Sequence, residues 1–382
     1  MPQAFHGKAS GGGRGVNPVH GWVILDKPLG LGSTQAVGAI KRGLRDAGLM
    51  ASGRGSKANR IKVGHGGTLD PLATGVLPIA LGEATKLTGR MLDASKTYDF
   101  TIEFGTQTDT LDLEGKVIAT SETRPSLAEI QAALPRFTGP IQQAPPAYSA
   151  IKIDGQRAYD LARAGEDVAM KTREVMVHAL QVSSPSSGGE DSAARSQREL
   201  AELGEGEGLS PSVAPSPAMT RQQAAKSSHP LPLKRERTNS VTLTAHVSKG
   251  TYIRSLARDI ALALNSVGHV TMLRRTRAGP FGLENAISLD NWADAAKARA
   301  LDTLILPFEA GLDDIPALSL SSGDAGAIRQ GRVLAGILAE DGLYCAKDGD
   351  VPVALIELTH GNVRVVRGFN FTTDPMSKER IA

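Results

Sequence analysis

The sequence predicts an α+β chain with a large and a small domain, and three observations carry that prediction. Residues 96–105, 173–182, 240–247 and 269–277 have the apolar and polar pattern of strands. Before, between and after them, residues 36–44, 127–137, 256–264 and 288–300 read as helices, some with a capping residue ahead or a Gly or Pro behind. Past Leu312, short apolar segments (Ala335–Leu338, Pro352–Ile356, Val363–Arg367) alternate with Gly and Asp turns, which is the pattern of a small β domain. With 382 residues, 41% of them hydrophobic, the chain can bury a sizeable core.

Residues 1–19 are Gly-rich and polar and read as a flexible basic arm. Gly21 to Pro28 is a buried strand running into a turn, and Ser33 and Thr34 are expected to cap the helix that follows. Residues 46–59 form a basic Gly/Ser-rich loop, long enough to track a polyanion. Next comes GHGGTLDPLATGVLPIALGEATKL, residues 64–87, in which one carboxylate, Asp70, sits among glycines, small residues and Pro71. Gly64, Gly66 and Gly67 permit tight backbone geometry, Pro71 biases Asp70 away from helix, and residues 75–82 read as a buried strand anchoring the loop. An Asp before Pro is ordinarily a turn residue or a cap.

Over residues 96–105, alternation puts Tyr98 and Phe100 on one face. Residues 106–115 are an acidic turn whose Asp109, Asp112 and Glu114 lack the spacing of an EF-hand. A proline-rigidified loop, 142–152, leads to a short helix from Tyr159 and a strand from Arg173 to Val182. Residues 183–233 are rich in Ser, Gly, Pro and Glu, nearly lack large apolar residues, and read as a disordered insertion at a hairpin tip. Structure resumes at Ser240–Val247 and continues through SKGTYIR, residues 248–254, into a helix.

Gly67-Thr-Leu-Asp70-Pro-Leu-Ala-Thr-Gly75 resembles, without a gap, the G-x-L-D-x-x-A-T/S-G loop of the TruB-type tRNA pseudouridine synthases. The likeness extends to LDKPLG near Lys27, K-x-Y at Tyr98, TDTLDLEG, P-P-x-Y-S-A-x-K and SKGTYIR, and covers most of residues 20–310; the 183–233 insertion departs from it. The resemblance implies a pseudouridine synthase fold, a mixed and largely antiparallel sheet with flanking helices. It implies Asp70 as the acting carboxylate, Tyr98 stacked on the flipped uracil, and Arg254 paired with Asp70 to hold it charged and oriented. It also implies His65 as the residue that displaces the target base, Lys27 as a support beside the loop, and Tyr252, Leu273, Arg274 and Arg275 as RNA contacts. By position, residues 312–382 are similar to the PUA-like RNA-binding module of bacterial members. The domain organisation expected is 1–19 arm, 20–182 and 234–311 catalytic domain, 183–233 insertion, and 312–382 PUA-like domain.

Charge fits that reading. Residues 1–62 hold ten Lys/Arg against Asp26 and Asp46, and residues 249–277 hold six against Asp259, although the whole chain is only +3. Two basic blocks flanking one acid are the footprint of a polyanion such as RNA. The lone cysteine, Cys345, excludes an internal disulfide and a Cys-based zinc cluster, and no run approaches a membrane span; a cytoplasmic protein is expected. The reaction implied, at uridine 55 in the T-arm loop of tRNA, needs no cofactor or metal, and no protein partner is implied. Two alternatives share these features: a guide-RNA-dependent synthase of a ribonucleoprotein, and a non-catalytic tRNA-binding chaperone.

Overall fold

The structure, a computed structural model, describes residues 19–50, 61–149, 151–153, 155–164, 170–183 and 237–371. Residues 1–18 of the expected arm, 51–59 of the basic loop and all of the insertion except Ser183 lie outside the described residues. The elements are β1 (Gly21–Lys27), α1 (Ser33–Asp46), β2 (Val63–His65), β3 (Ala73–Leu81), α2 (Thr88–Asp93), β4 (Lys96–Phe104), β5 (Thr106–Thr108), β6 (Val117–Thr120), α3 (Leu127–Ala133), β7 (Gly139–Gln143), β8 (Lys152–Ile153) and β9 (Gln156–Arg157). They continue with α4 (Ala158–Arg163), β10 (Arg173–Val182), β11 (Ser240–Val247), α5 (Ile253–Ala263), β12 (Gly268–Ala278), β13 (Phe281–Gly282), α6 (Leu289–Ala298), β14 (Ala317–Leu320), α7 (Ser322–Arg329), β15 (Gly342–Asp348), β16 (Val351–Thr359) and β17 (Asn362–Gly368). The chain is α+β. It divides into two compact units, Met1–Ala94 with Arg277–Ala382, and Ser95–Thr276.

In the first unit, β1 runs antiparallel to β3 from Gly21 opposite Leu81 to Lys27 opposite Gly75. The β1 sequence GWVILDK does not alternate because almost every position is buried, the signature of a strand covered on both faces. β2 also pairs with β3, His65 opposite Ile79. Trp22, Ile24, Val76 and Met91 share one core with Phe281, Phe308, Leu312, Ile315, Cys345, Leu355 and Phe369. The sheet β14-β15-β16-β17 is thus continuous with the N-terminal strands through a common core, and a second cluster lies between that sheet and α7. β14 pairs parallel with β15, and the remaining pairs of this sheet are antiparallel.

A polar fastening holds the end of β17. Glu83 accepts the Asn370 N–H (2.7 Å) and pairs with Lys86 (2.7 Å), Lys86 donates to the Gly368 carbonyl (2.9 Å), and His20 Nδ1 accepts the Glu83 N–H (3.0 Å). The His20 ring meets Phe371 edge-on. Burial lowers the His20 pKa from its ordinary value, with Glu83 opposing. Burial by itself would raise Glu83, but Lys86 and the Asn370 N–H outweigh it and leave the carboxyl lowered. Both groups bind protons less readily in the folded state. Their contribution is therefore present above the unfolded values and lost as the pH falls through the folded ones, His20 first, from about pH 6.5 downward. Urea midpoints should decline over that range, and His20→Asn, whose Oδ1 can accept the same bond without titrating, should blunt the upper part of the decline.

In the second unit, β12 lies beside β4, followed by β11, β10 and β7. Along β4, β11, β10 and β7 each strand is antiparallel to its neighbour, with Tyr98 opposite Ala245, Val182 opposite Leu243 and Arg173 opposite Gln143. Alternation turns Phe100, Ile102 and Phe104 of β4 and Leu243, Ala245 and Val247 of β11 inward against Ile253, Leu256, Ala257 and Ile260 of α5. The two flanks of the insertion are thus paired strands.

Two local expectations are corrected. The N-cap of α1 is Gly32, not Ser33. Ala335–Leu338 is not a strand: Gly336 has φ +79° and Leu338 is fully exposed, so the segment has neither strand backbone nor a buried face. The sheet here is completed instead by β14 and β15, which the pattern did not single out, with α7 behind them. Among the described residues, no helix is long and apolar enough to cross a membrane.

Candidate active site

Asp70 is exposed in the loop between β2 and β3, and the backbone on either side of it is tied down from three directions. The Ser33 hydroxyl donates to the Leu69 carbonyl and accepts the Leu69 N–H, both at 2.9 Å, inside the protein. The Pro71 carbonyl accepts the Gly30 N–H (2.9 Å) and the Lys27 ammonium (3.3 Å). The Asp70 carbonyl itself accepts the Ala73 N–H (3.0 Å). Two of the glycines are needed: Gly67 has φ +137°, and a Cβ on Gly66 would lie 2.6 Å from Met91 Cβ. A Cβ on Gly64 would meet nothing within 4 Å, so that position makes no such demand.

Lys27, expected as a support beside the loop, is fully buried at the end of β1. Its ammonium also donates to the carbonyls of Pro28 (2.9 Å) and Leu31 (2.7 Å), which makes it a fastener between the β1 turn and the Asp70 loop. Lys27→Met should lower stability by about 3 kcal/mol, because bonds to a charged donor are each worth about 1.5–3 kcal/mol and the part-buried Pro28 and Leu31 carbonyls lose this donor. Urea unfolding measures that loss, and turnover should fall with little change in RNA affinity. His65 closes β2, half-buried, in the same unit as Asp70.

The other predicted residues lie in the second unit. Tyr98, half-buried on β4, packs at the margin of the Phe100 core. Arg254, in the first turn of α5, is buried and ion-paired with Asp112 (2.9 Å), and it donates to the Thr110 carbonyl (2.8 Å) and the Tyr148 carbonyl (3.0 Å). Asp112 is held in turn: its other carboxylate oxygen accepts the Thr110 hydroxyl (2.5 Å) and the Glu114 N–H (3.1 Å). The turn that presents it includes Leu111 at φ +63°. A fixed anion thus aims a fixed cation, a geometry that a flexible surface arginine would not keep. Tyr252 is the N-cap residue of α5, its ring 4.9 Å beneath the Arg173 guanidinium.

On β12, Leu273 packs against the core and Arg274 is half-buried. Arg275 is 1% exposed, so its guanidinium lies inside the protein rather than on a surface that phosphates could reach. Sequence reasoning gave no role to Ser33 beyond capping, none to Asp112 beyond an acidic turn, and none to Gln143 or Arg173.

Comparison with known proteins agrees with these motifs. The family model described as TruB family pseudouridylate synthase (N terminal domain) matches residues 55–192, and that described as tRNA pseudouridylate synthase B C-terminal domain matches residues 254–313. A relative from Novosphingobium aromaticivorans named tRNA pseudouridine synthase B is 54% identical, over 92% of this chain and 98% of its own length. One of the same name from Zymomonas mobilis is 48% identical over 93% and 98%. Among solved structures, an H/ACA RNP bound to a substrate RNA containing 2'-deoxyuridine matches with a TM-score of 0.56 at 22% identity, covering 92% of this chain and 85% of that one, a likeness of fold. An acid loop matching the motif residue for residue, the SKGTYIR helix start and near-full-length identity above one half leave one conclusion: this chain belongs to the TruB family of pseudouridylate synthases.

Proposed function

We infer that this chain isomerises uridine to pseudouridine in tRNA, at position 55 of the T-arm loop, with Asp70 as the acting carboxylate. The observation that carries the reading is an exposed Asp70 on a loop whose main chain is fastened by Ser33 and Lys27, within a chain 54% identical to a named tRNA pseudouridine synthase B. The reaction breaks the C1'–N1 glycosidic bond, turns the uracil, forms the C1'–C5 bond, and releases the C5 proton while N1 regains one. Atoms balance without redox chemistry.

The base must leave the stack, at a cost of a few kcal/mol, and His65 is the side chain assigned to take its place. Tyr98 is assigned to stack on the flipped uracil and to stand near the departing C5 proton. Arg254 is assigned to keep the Asp70 carboxylate charged and oriented. Tyr252, Leu273 and Arg274 are assigned to RNA contact and residues 312–382 to docking as a PUA-like module, with basic residues on both flanks offsetting base extraction through phosphate contacts that weaken with salt.

The purified chain, given an unmodified tRNA transcript tritiated at C5 of its uridines, should release about one equivalent of label per tRNA, and none when uridine 55 is replaced by cytidine. Release that persists from the cytidine transcript would overturn the position. Absence of release from bare tRNA would favour the guided synthase or the chaperone.

A further inference from the structure

We propose that Gln143 is a positioning residue for the reaction, acting through Arg254 by fixing the start of helix α5. Gln143 ends β7 and is completely buried. Its side-chain amide meets the main chain of Tyr252 at two points: Oε1 accepts the Tyr252 N–H (2.8 Å) and Nε2 donates to the Tyr252 carbonyl (3.1 Å). Tyr252 has extended backbone (φ −98°, ψ 113°), so it offers a donor and an acceptor as a strand residue does, and the planar amide matches both.

The need for this clamp lies in the sequence. An N-cap position ordinarily carries Ser, Thr, Asp or Asn, whose side chain satisfies an orphan N–H of the first turn. Here the N-cap is Tyr252, which makes no such bond, and a residue 109 positions earlier secures the main chain of that helix start instead. The next residue, Ala144, extends the attachment. Its carbonyl accepts the Ser255 hydroxyl (2.8 Å) and an Arg258 N–H (3.4 Å).

The strand neighbour of Gln143 holds the same loop from the other side. Arg173, directly opposite Gln143, donates to the Gly250 carbonyl and covers the Tyr252 ring. Three residues further along β10, Met176 exchanges bonds with Ser248 (2.9 and 2.8 Å). The segment Ser248–Tyr252 is thus registered on β7 and β10 before the chain turns into α5, and Arg254 follows two residues later. A buried guanidinium that must meet Asp112 and two carbonyls tolerates little drift of the helix that bears it. A misplacement of about 1 Å at a reacting centre can cost about 10²-fold in rate.

The inference rests on the role proposed for Arg254, and the experiment separates the two. Single-turnover tritium release at saturating enzyme should fall about 10²-fold in Gln143→Ala, while tRNA affinity changes less than about threefold. Gln143→Glu, which keeps the acceptor for the Tyr252 N–H but loses the donor, should fall about tenfold and guards against a fold lost in the alanine variant. In an Arg254→Lys background, which retains charge but not the planar fork, Gln143→Ala should cause no further fall, since the geometry it protects is already gone. Equal falls in both backgrounds, or a wild-type rate in Gln143→Ala, would overturn the inference. A normal rate in Arg254→Lys and Arg254→Ala would instead overturn the role of Arg254, and this proposal with it.

Discussion

Asp70→Asn is expected to abolish turnover and spare binding. The substitution keeps the size of the side chain and removes its charge. The bonds from Ser33 to Leu69, from Lys27 and Gly30 to Pro71, and from Ala73 to the Asp70 carbonyl are made to main chain and survive it. Tritium release from C5-labelled tRNA should therefore drop by several orders of magnitude, with affinity changed by tenfold or less, about 1.4 kcal/mol. Arg254→Ala should lose turnover as well, but for a mixed reason. It leaves the Asp112 carboxylate buried without its cation, and breaking a buried pair from one side costs about 3–5 kcal/mol in stability. Adding Asp112→Asn to Arg254→Ala is the control that removes the orphaned charge: if turnover recovers with stability in the double variant, Arg254 has no part in the reaction. Near-wild-type release from Asp70→Asn would remove the acid from the mechanism.

Cutting the chain after Gly311 is expected to unfold the first unit rather than merely weaken docking. Read from sequence, residues 312–382 are a separate module whose loss would lower RNA affinity and leave single-turnover chemistry intact. The packing argues otherwise. Leu312, Ile315, Leu355 and Phe369 fill the same core as Trp22, Ile24 and Val76, and Phe369 and Phe371 meet Phe308 ring to ring. Burial of each large apolar side chain is worth about 1.5–3 kcal/mol, so their joint removal is comparable with the whole stability of a domain, about 5–15 kcal/mol. The truncated chain should show loss of cooperative unfolding by circular dichroism and no turnover at any enzyme concentration. A truncated chain that melts cooperatively near the full-length temperature and turns over at saturation would show that this core tolerates the cut.

The amino-acid sequence alone determined whatever is written in neighbouring letters. Period-two alternation located β4, β10 and β11 because inward and outward residues follow one another along a strand, and the Asp70 loop was legible because its glycines, acid and proline are contiguous. Past residue 312 that local code weakened. Segments such as β15, GLYCAKD, have no clean alternation, and whether a short apolar run becomes a strand depends on the partner it finds.

Tertiary structure alone decided what holds the candidate site in place. Ser33 looks locally like a helix cap, yet its hydroxyl is spent on Leu69, 36 residues away; nothing in the letters around Lys27 says that its ammonium closes on Pro71, 44 residues away. Asp112 reaches Arg254 across 142 residues and Gln143 reaches Tyr252 across 109. Such pairings leave no local periodicity, because a buried polar group needs a partner at hydrogen-bond distance and only the folded chain determines which residue arrives there.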